Sequence, residues 1–202
     1  MEQIIDFVKK ELQFDNSGHD LFHIERVVNN ALRIMEIEGG NEKVVITSCY
    51  LHDCVDIKLF KNEINQIEKI KSLLINNNYT LEEINEIIDI ITSISFSKNK
   101  TLDTLNSQIV RDADRLDAMG VMGIIRTIQY GNSKNRPFYE EENIKIENGT
   151  KCFNNSTNST LSHFYDKLLK LYDLLHTNTA KMLAKEKVKI MNEFLKQFYK
   201  EL

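Results

Sequence analysis

The segment YLHDCVD, residues 50–56, decides how this sequence is interpreted, because it places a histidine and an aspartate side by side in an otherwise apolar stretch. A second carboxylate, Asp56, follows three residues after Asp53. Imidazole and carboxylate together suit a mid-row divalent ion, whereas thiolates would favour zinc or iron–sulfur. Neighbouring helical residues diverge by about 100°, so His52 and Asp53 can reach one ion only where the backbone opens at a helix end. The segment therefore predicts a metal-binding doublet at the end of a helix.

The composition predicts one all-α domain over residues 1–202. Of the 202 residues, 42% are hydrophobic and 28% charged, which is enough for one well-filled core. One proline and seven glycines, with abundant Ile, Leu, Lys, Glu and Asn, favour long helices, and we expect about seven to ten of them.

The net charge and the cysteine content limit which binding partners and which cellular compartment are expected. With 26 basic and 30 acidic side chains the net charge is −4, which argues against nucleic acid and against acidic lipid as partners. The three cysteines follow no disulfide or metal-binding spacing, and the N-terminal MEQIIDFVKKEL has no apolar signal-peptide core. No window approaches the roughly 20 apolar residues of a membrane helix. We therefore expect a cytoplasmic protein.

Apolar periodicity and capping residues divide the chain into helices. Asn41 is an expected N-cap, Thr80 with Glu83 forms a capping box, and Gly39 with Gly40 ends a helix. The predicted helices cover 2–13, about 20–38, 42–53, 62–76, 81 onward, 102–130 with a bend at Gly120 and Gly123, 160–174 and 178–201. Residues 131–159 lose this periodicity, and we expect a mobile loop that is either a substrate lid or disordered.

Four phrases in order carry a resemblance over nearly the whole chain. They are GHDLFHIERV at 18–27, YLHDCVD at 50–56, RDADRLDAMGVMGIIRT at 111–127 and SHFYDKLLKLYDLLHTNTAK at 162–181. In these phrases the sequence resembles the HD superfamily of metal-dependent phosphohydrolases, and it is most similar to a single-domain bacterial branch of nucleotide pyrophosphohydrolase-like proteins. The resemblance implies an all-α HD-type fold.

The resemblance also implies the metal ligands, which are His23, His52, Asp53 and Asp114. Asp112 is the alternative to Asp114. One divalent ion is expected, with Mn²⁺ preferred over Fe²⁺, Ni²⁺, Co²⁺ or Mg²⁺. Four ligands would leave positions open on a six-coordinate ion for water and a phosphate oxygen.

The same resemblance implies how the reaction would run. The ion lowers the pKa of a bound water, Asp56 takes a proton, and the hydroxide attacks phosphorus while Lys58 neutralises developing charge. The competing interpretation of Asp56 is a polar residue at a helix end. His19 is either structural or a partner that orients His23.

Substrate phosphates need further cations and a surface for the base. The residues expected to bind substrate are Arg26, Arg126, Lys134, His163 and Lys167, and Tyr130 or Phe138 could stack a base. Two alternatives remain at this stage: Arg26 pairs with a nearby acid instead, and Asp117 forms a salt bridge or a helix cap.

The function expected is hydrolysis of a phosphoanhydride bond in a (deoxy)nucleotide or a similar small phosphorylated metabolite. A nucleotide monophosphatase, a phosphodiesterase and a non-catalytic nucleotide or metal sensor are the alternatives. A di-iron oxygenase would need additional His and Asp ligands for a second metal. The exact substrate, the physiological metal and the oligomeric state stay open, although apolar faces on the terminal helices would allow a homodimer.

Overall fold

The computed structural model describes residues 1–13, 20–55, 63–94, 104–141, 144–147, 150–153 and 158–202. Within these ranges it contains nine α-helices and one two-stranded antiparallel hairpin, which confirms the all-α class. The chain divides into two compact units, residues 1–114 and 115–202. In the described part of the chain, no helix has both the length and the apolar character needed to cross a bilayer.

The first unit is built from helices whose apolar stripes form a common core. Five of these helices each contribute a side chain that is 0% exposed, namely Ile24, Leu51, Ile70, Ile87 and Ile109. The helices are α1 (Glu2–Leu12), α2 (Leu21–Glu38), α3 (Glu42–Leu51), α4 (Glu63–Asn76), α5 (Leu81–Ser93) and α6 (Leu105–Asp117), of which α6 continues three residues past the end of the unit.

Local capping signals account for where these helices begin and end. The Asn41 side chain accepts from the Val44 N–H at the start of α3, and Thr80 with Glu83 forms both bonds of a capping box at α5. Gly39 ends α2 at a φ of 77°, a left-handed angle that favours glycine. All three predictions are confirmed.

The second unit holds α7 (Gly120–Ser133), β1 (Ile144–Glu147), β2 (Thr150–Phe153), α8 (Ser162–Asp166) and α9 (Asn178–Glu201). The helix is interrupted between Asp117 and Gly120, as expected, but Gly123 lies inside α7 and does not mark the interruption. Gly131 lies so close to Thr160 that a Cβ there would collide with its hydroxyl. The two strands pair from Ile144 with Phe153 to Glu147 with Thr150. They lie inside residues 131–159, and a lid role for that segment stays a prediction.

The expectation of one helix over 160–174 was wrong. Lys167 leaves the helical region at φ −133° and ψ −60°, so α8 ends after Asp166, and two 3-10 turns follow at Leu168–Lys170 and Tyr172–Leu174. Leu168 and Leu171 are buried three residues apart. A spacing of three satisfies the tighter helix as well as the α-helix, so periodicity could not separate the two.

Candidate metal centre

Three elements of the first unit bring four predicted ligands together. His23 lies in the first turn of α2, where the Asp20 side chain accepts from its backbone N–H at 2.8 Å and caps the helix. His52 and Asp53 begin a 3-10 turn, His52–Val55, directly after α3. Asp114 lies on α6. The prediction placed the doublet in the last turn of a helix over 42–53, whereas the α-helix ends at Leu51 and the doublet lies in the 3-10 turn that follows.

The interatomic distances show that these side chains share one small volume. Nε2 of His23 is 3.4 Å from Nε2 of His52, and the rings meet edge to face with centroids 5.3 Å apart. The same His23 nitrogen is 3.4 Å from Asp53 Oδ2 and 3.5 Å from Asp114 Oδ1. Nε2 of His52 is 3.3 Å from Asp53 Oδ1 and 3.8 Å from Asp114 Oδ1. Ligand atoms of His23, His52 and Asp114 all lie within 4.8 Å of one another, and these three could hold a metal ion.

A backbone contact determines the tautomer of His52. Its Nδ1 is 2.8 Å from the carbonyl oxygen of Cys49. A carbonyl can only accept, so Nδ1 carries the proton, and in the neutral ring Nε2 is left with a lone pair. That lone pair is directed into a cluster of a second imidazole nitrogen and carboxylate oxygens.

The donor set fits a divalent cation. Two imidazole nitrogens and two carboxylates converge here, and a divalent cation would accept their electron pairs and neutralise the buried carboxylate charge. The side chains of His23, His52 and Asp53 are 1%, 3% and 6% exposed, whereas Asp114 is 34% exposed and leaves one side of the cluster open to solvent. The mixture of imidazole and carboxylate suits Mn²⁺, Fe²⁺, Co²⁺ or Ni²⁺.

Neither of the two cysteines next to this cluster belongs to the group of residues that could hold the ion. Cys49 and Cys54 are buried and free. Burial, with Asp114 acting on Cys49 and with Asp53 and Glu11 acting on Cys54, raises the pKa of both thiols well above their ordinary range. Cys49 contacts the cluster through its carbonyl.

The remaining predictions near the metal ligands divide into two groups. The group whose ligand atoms lie within 4.8 Å of one another contains neither Asp53 nor Asp112, but Asp53 has oxygens 3.4 Å from His23 Nε2 and 3.3 Å from His52 Nε2. Asp112, the alternative ligand, is 0% exposed on α6, and Arg26 is half-buried on α2. His19, Asp56 and Lys58 lie outside the described residues.

In the second unit, Arg126 contacts an acid of the same unit. Its Nη1 donates to Asp117 Oδ2 at 2.6 Å, and the Asp117 side chain is 2% exposed. This is the salt bridge that the sequence left open for Asp117. Arg115 donates to the carbonyl of Leu174.

A second group of predicted residues lies around Tyr130 and His163. Lys134 Nζ is 5.6 Å and Arg136 Cζ 5.7 Å from the centroid of the exposed Tyr130 ring. Burial lowers the pKa of His163, and Lys167 and Arg136 lower it further, partly offset by Asp166. Phe138, proposed for stacking, instead packs edge to face on Phe198 at 5.3 Å between centroids.

Comparison with known proteins identifies the family of the chain. The model for the HD domain matches residues 21–119. YpgQ of Bacillus subtilis (strain 168) is 32% identical over 205 residues, which cover 100% of this chain and 93% of YpgQ. The chain belongs to the HD superfamily of phosphohydrolases.

Two solved structures of HD-superfamily relatives cover almost all of the chain. Bacillus subtilis YpgQ in complex with ADP superposes with a TM-score of 0.80 at 31% identity, covering 100% of this chain and 97% of that one. An HD-superfamily hydrolase from Bacillus thuringiensis gives a TM-score of 0.79 at 36% identity and covers 99% and 95%.

Two features of this HD-superfamily site escaped the sequence. The Cys49 carbonyl has no sequence signal, since every residue carries one. Asn30, which donates to the carbonyl of Ala113 at 3.1 Å, is a polar position in the mostly apolar helix α2, and that is the signal that could have found it.

Proposed function

We propose that the protein is a metal-dependent hydrolase that cleaves a phosphoanhydride bond of a nucleotide or a similar small phosphorylated metabolite. One observation carries the proposal. Two imidazole nitrogens 3.4 Å apart, one with its tautomer fixed by the Cys49 carbonyl, face carboxylate oxygens in a buried cluster. This arrangement suits a cation and lies in a chain of a phosphohydrolase superfamily.

In this proposal His23, His52, Asp53 and Asp114 hold one divalent ion, with Mn²⁺ preferred. Such an ion supplies Lewis-acid activation of a phosphoryl oxygen and of water. The half-exposed Asp114 leaves the solvent side accessible to both. From the sequence alone, we assign proton transfer to Asp56 and charge neutralisation to Lys58.

The nucleotide part of the proposal is supported by a relative. YpgQ has been solved in complex with ADP and aligns along the whole chain. Lys134, His163 and Lys167 are proposed to bind substrate phosphates, and Arg136 joins them because it acts electrostatically on His163. Arg26 stays in the proposed set. Arg126 is better assigned to Asp117 than to substrate.

The experiment that tests the proposal compares a ligand variant with a matched surface variant. Metal-free protein is reloaded with Mn²⁺, Mg²⁺, Co²⁺ or Ni²⁺ and incubated with nucleoside triphosphates, their deoxy forms and monophosphates, and the products are resolved by ion chromatography. Asp114→Asn should lose bound metal and turnover together. Asp89→Asn, an exposed aspartate on α5, should keep both.

The products separate the alternatives. Pyrophosphate or orthophosphate from triphosphates supports phosphoanhydride cleavage, whereas orthophosphate from monophosphates alone indicates a monophosphatase. Nucleotide binding without products, in metal-loaded protein, would indicate a sensor. Equal metal content in Asp114→Asn and wild type would contradict the ligand assignment.

A further inference from the structure

Polar side chains hold α6, the helix that carries Asp114, against its neighbours in the first unit. Oδ1 of Asn106 accepts from the backbone N–H of Asn41 at 2.8 Å, and its Nδ2 donates to Glu86 Oε1 at 2.8 Å. Arg111 donates to the carbonyl of Ser93. These contacts fix the N-terminal half of α6 to the start of α3 and to α5.

Asn30 provides a contact closer to Asp114. Its Nδ2 donates at 3.1 Å to the carbonyl of Ala113, the residue immediately before Asp114. A backbone carbonyl has two lone pairs, so Ala113 can accept from Asn30 and still take part in its own helix. Asn30 therefore joins α2 to α6 one residue before Asp114.

The position of Asn30 on α2 relates this contact to His23. The two residues are seven apart, which is close to two helical turns and a rise of about 10.5 Å, so they share a face of α2. One end of this face presents the His23 imidazole to the cluster, and the other is bonded to the carbonyl of Ala113, which precedes Asp114. The hydrogen bond thus constrains the separation between His23 Nε2 and Asp114 Oδ1, which is 3.5 Å.

We infer that Asn30 is a positioning residue that sets the spacing of His23 and Asp114, and so the metal affinity of the cluster. The inference rests on the proposed function, because it concerns the same metal centre. Asn30 touches neither ion nor substrate; it acts through the backbone of Ala113. Groups that orient metal ligands are commonly worth about 10- to 100-fold in metal affinity.

The chain supplies a matched control at the neighbouring position. Asn30→Leu keeps the approximate shape of the side chain and removes the donor. Asn29→Leu makes the same change on the exposed face of α2. Mn²⁺ binding to metal-free protein is measured by isothermal titration calorimetry, and thermal unfolding of the metal-free proteins is recorded alongside.

We expect Asn30→Leu to weaken Mn²⁺ binding about tenfold and Asn29→Leu to change it by less than about twofold. Asn30→Ser, whose hydroxyl is too short to span the contact, should behave like Asn30→Leu and serves if the leucine variant does not fold. A lower melting temperature with unchanged Mn²⁺ affinity in both Asn30 variants would show a purely structural role and overturn the inference. Wild-type protein that binds no Mn²⁺ would instead overturn the proposed function itself.

Discussion

Arg126 donates from Nη1 to Oδ2 of Asp117 at 2.6 Å, and only 2% of the Asp117 side chain is exposed. A buried carboxylate needs a partner that stays in place, since an unpaired charge in the interior is costly. The pair joins the last residue of α6 to the second turn of α7. The pair is a buried contact within the second unit. We therefore assign Arg126 a structural role and not a role in substrate binding.

Replacing Arg126 with glutamine should destabilise the protein by about 3 kcal/mol, because it leaves the buried Asp117 charge without its guanidinium. Urea unfolding measures the free energy. The double variant Asp117→Asn/Arg126→Gln should be more stable than Arg126→Gln alone, since it removes the orphaned charge. Lys189→Gln, which breaks an exposed pair with Glu186 on α9, should cost less than about 1 kcal/mol. Equal losses of unfolding free energy in Arg126→Gln and Lys189→Gln would contradict a buried pair of Arg126 and Asp117.

Cys49 and Cys54 should resist alkylation in the native protein at pH 8. The thiolate is the reactive form, and burial raises the pKa of both thiols so far that this form is scarce. Iodoacetamide labelling followed by peptide mass spectrometry should find both residues unmodified in native protein and modified in guanidinium chloride. Rapid native labelling of either residue would place it at the surface instead.

His163 should make the protein less stable in mild acid. Burial, Lys167 and Arg136 lower its pKa below the ordinary value of 6.5. Above pH 6.5 the imidazole is neutral in both the folded and the unfolded state. Below pH 6.5 the unfolded chain binds a proton that the native protein does not, so the free energy of unfolding decreases as the pH is lowered. His163→Gln should therefore flatten the dependence of the unfolding free energy on pH between about 5 and 7. An unchanged slope in His163→Gln would refute the assignment.

Helix ends were predictable because their signals are local. A cap satisfies backbone groups at a helix end with atoms at most four residues away, as at Asn41, at Thr80 with Glu83, and at Gly39. The local sequence therefore contains both partners of each interaction. Thr80→Ala should accordingly cost about 1 kcal/mol in urea unfolding, and Thr80→Ser should recover most of it. Equal stability of Thr80→Ala and wild type would mean that the cap is replaced by solvent.

Features that depend on tertiary contacts were not predictable from the sequence. The break after Asp166 depends on the burial of Leu168 and Leu171, which a spacing of three does not reveal. The His52 tautomer depends on a backbone carbonyl. The ligand residues themselves came from a family resemblance, whereas their convergence to within 3.3–3.8 Å is a property of the folded first unit.

Saturating Mn²⁺ should stabilise the folded protein through the same convergence. His23, His52 and Asp114 are separated along the unfolded chain, so the ion binds mainly the native state and stabilises it by about 2.7 kcal/mol at a hundred times its dissociation constant. Thermal unfolding with and without Mn²⁺ should show an upward shift that a chelator reverses. Asp89→Asn should keep the shift and Asp114→Asn should lose most of it. Both variants replace one aspartate with asparagine, so they differ only in whether the aspartate belongs to the cluster. A full shift in Asp114→Asn would therefore mean that the stabilising ion binds elsewhere on the protein.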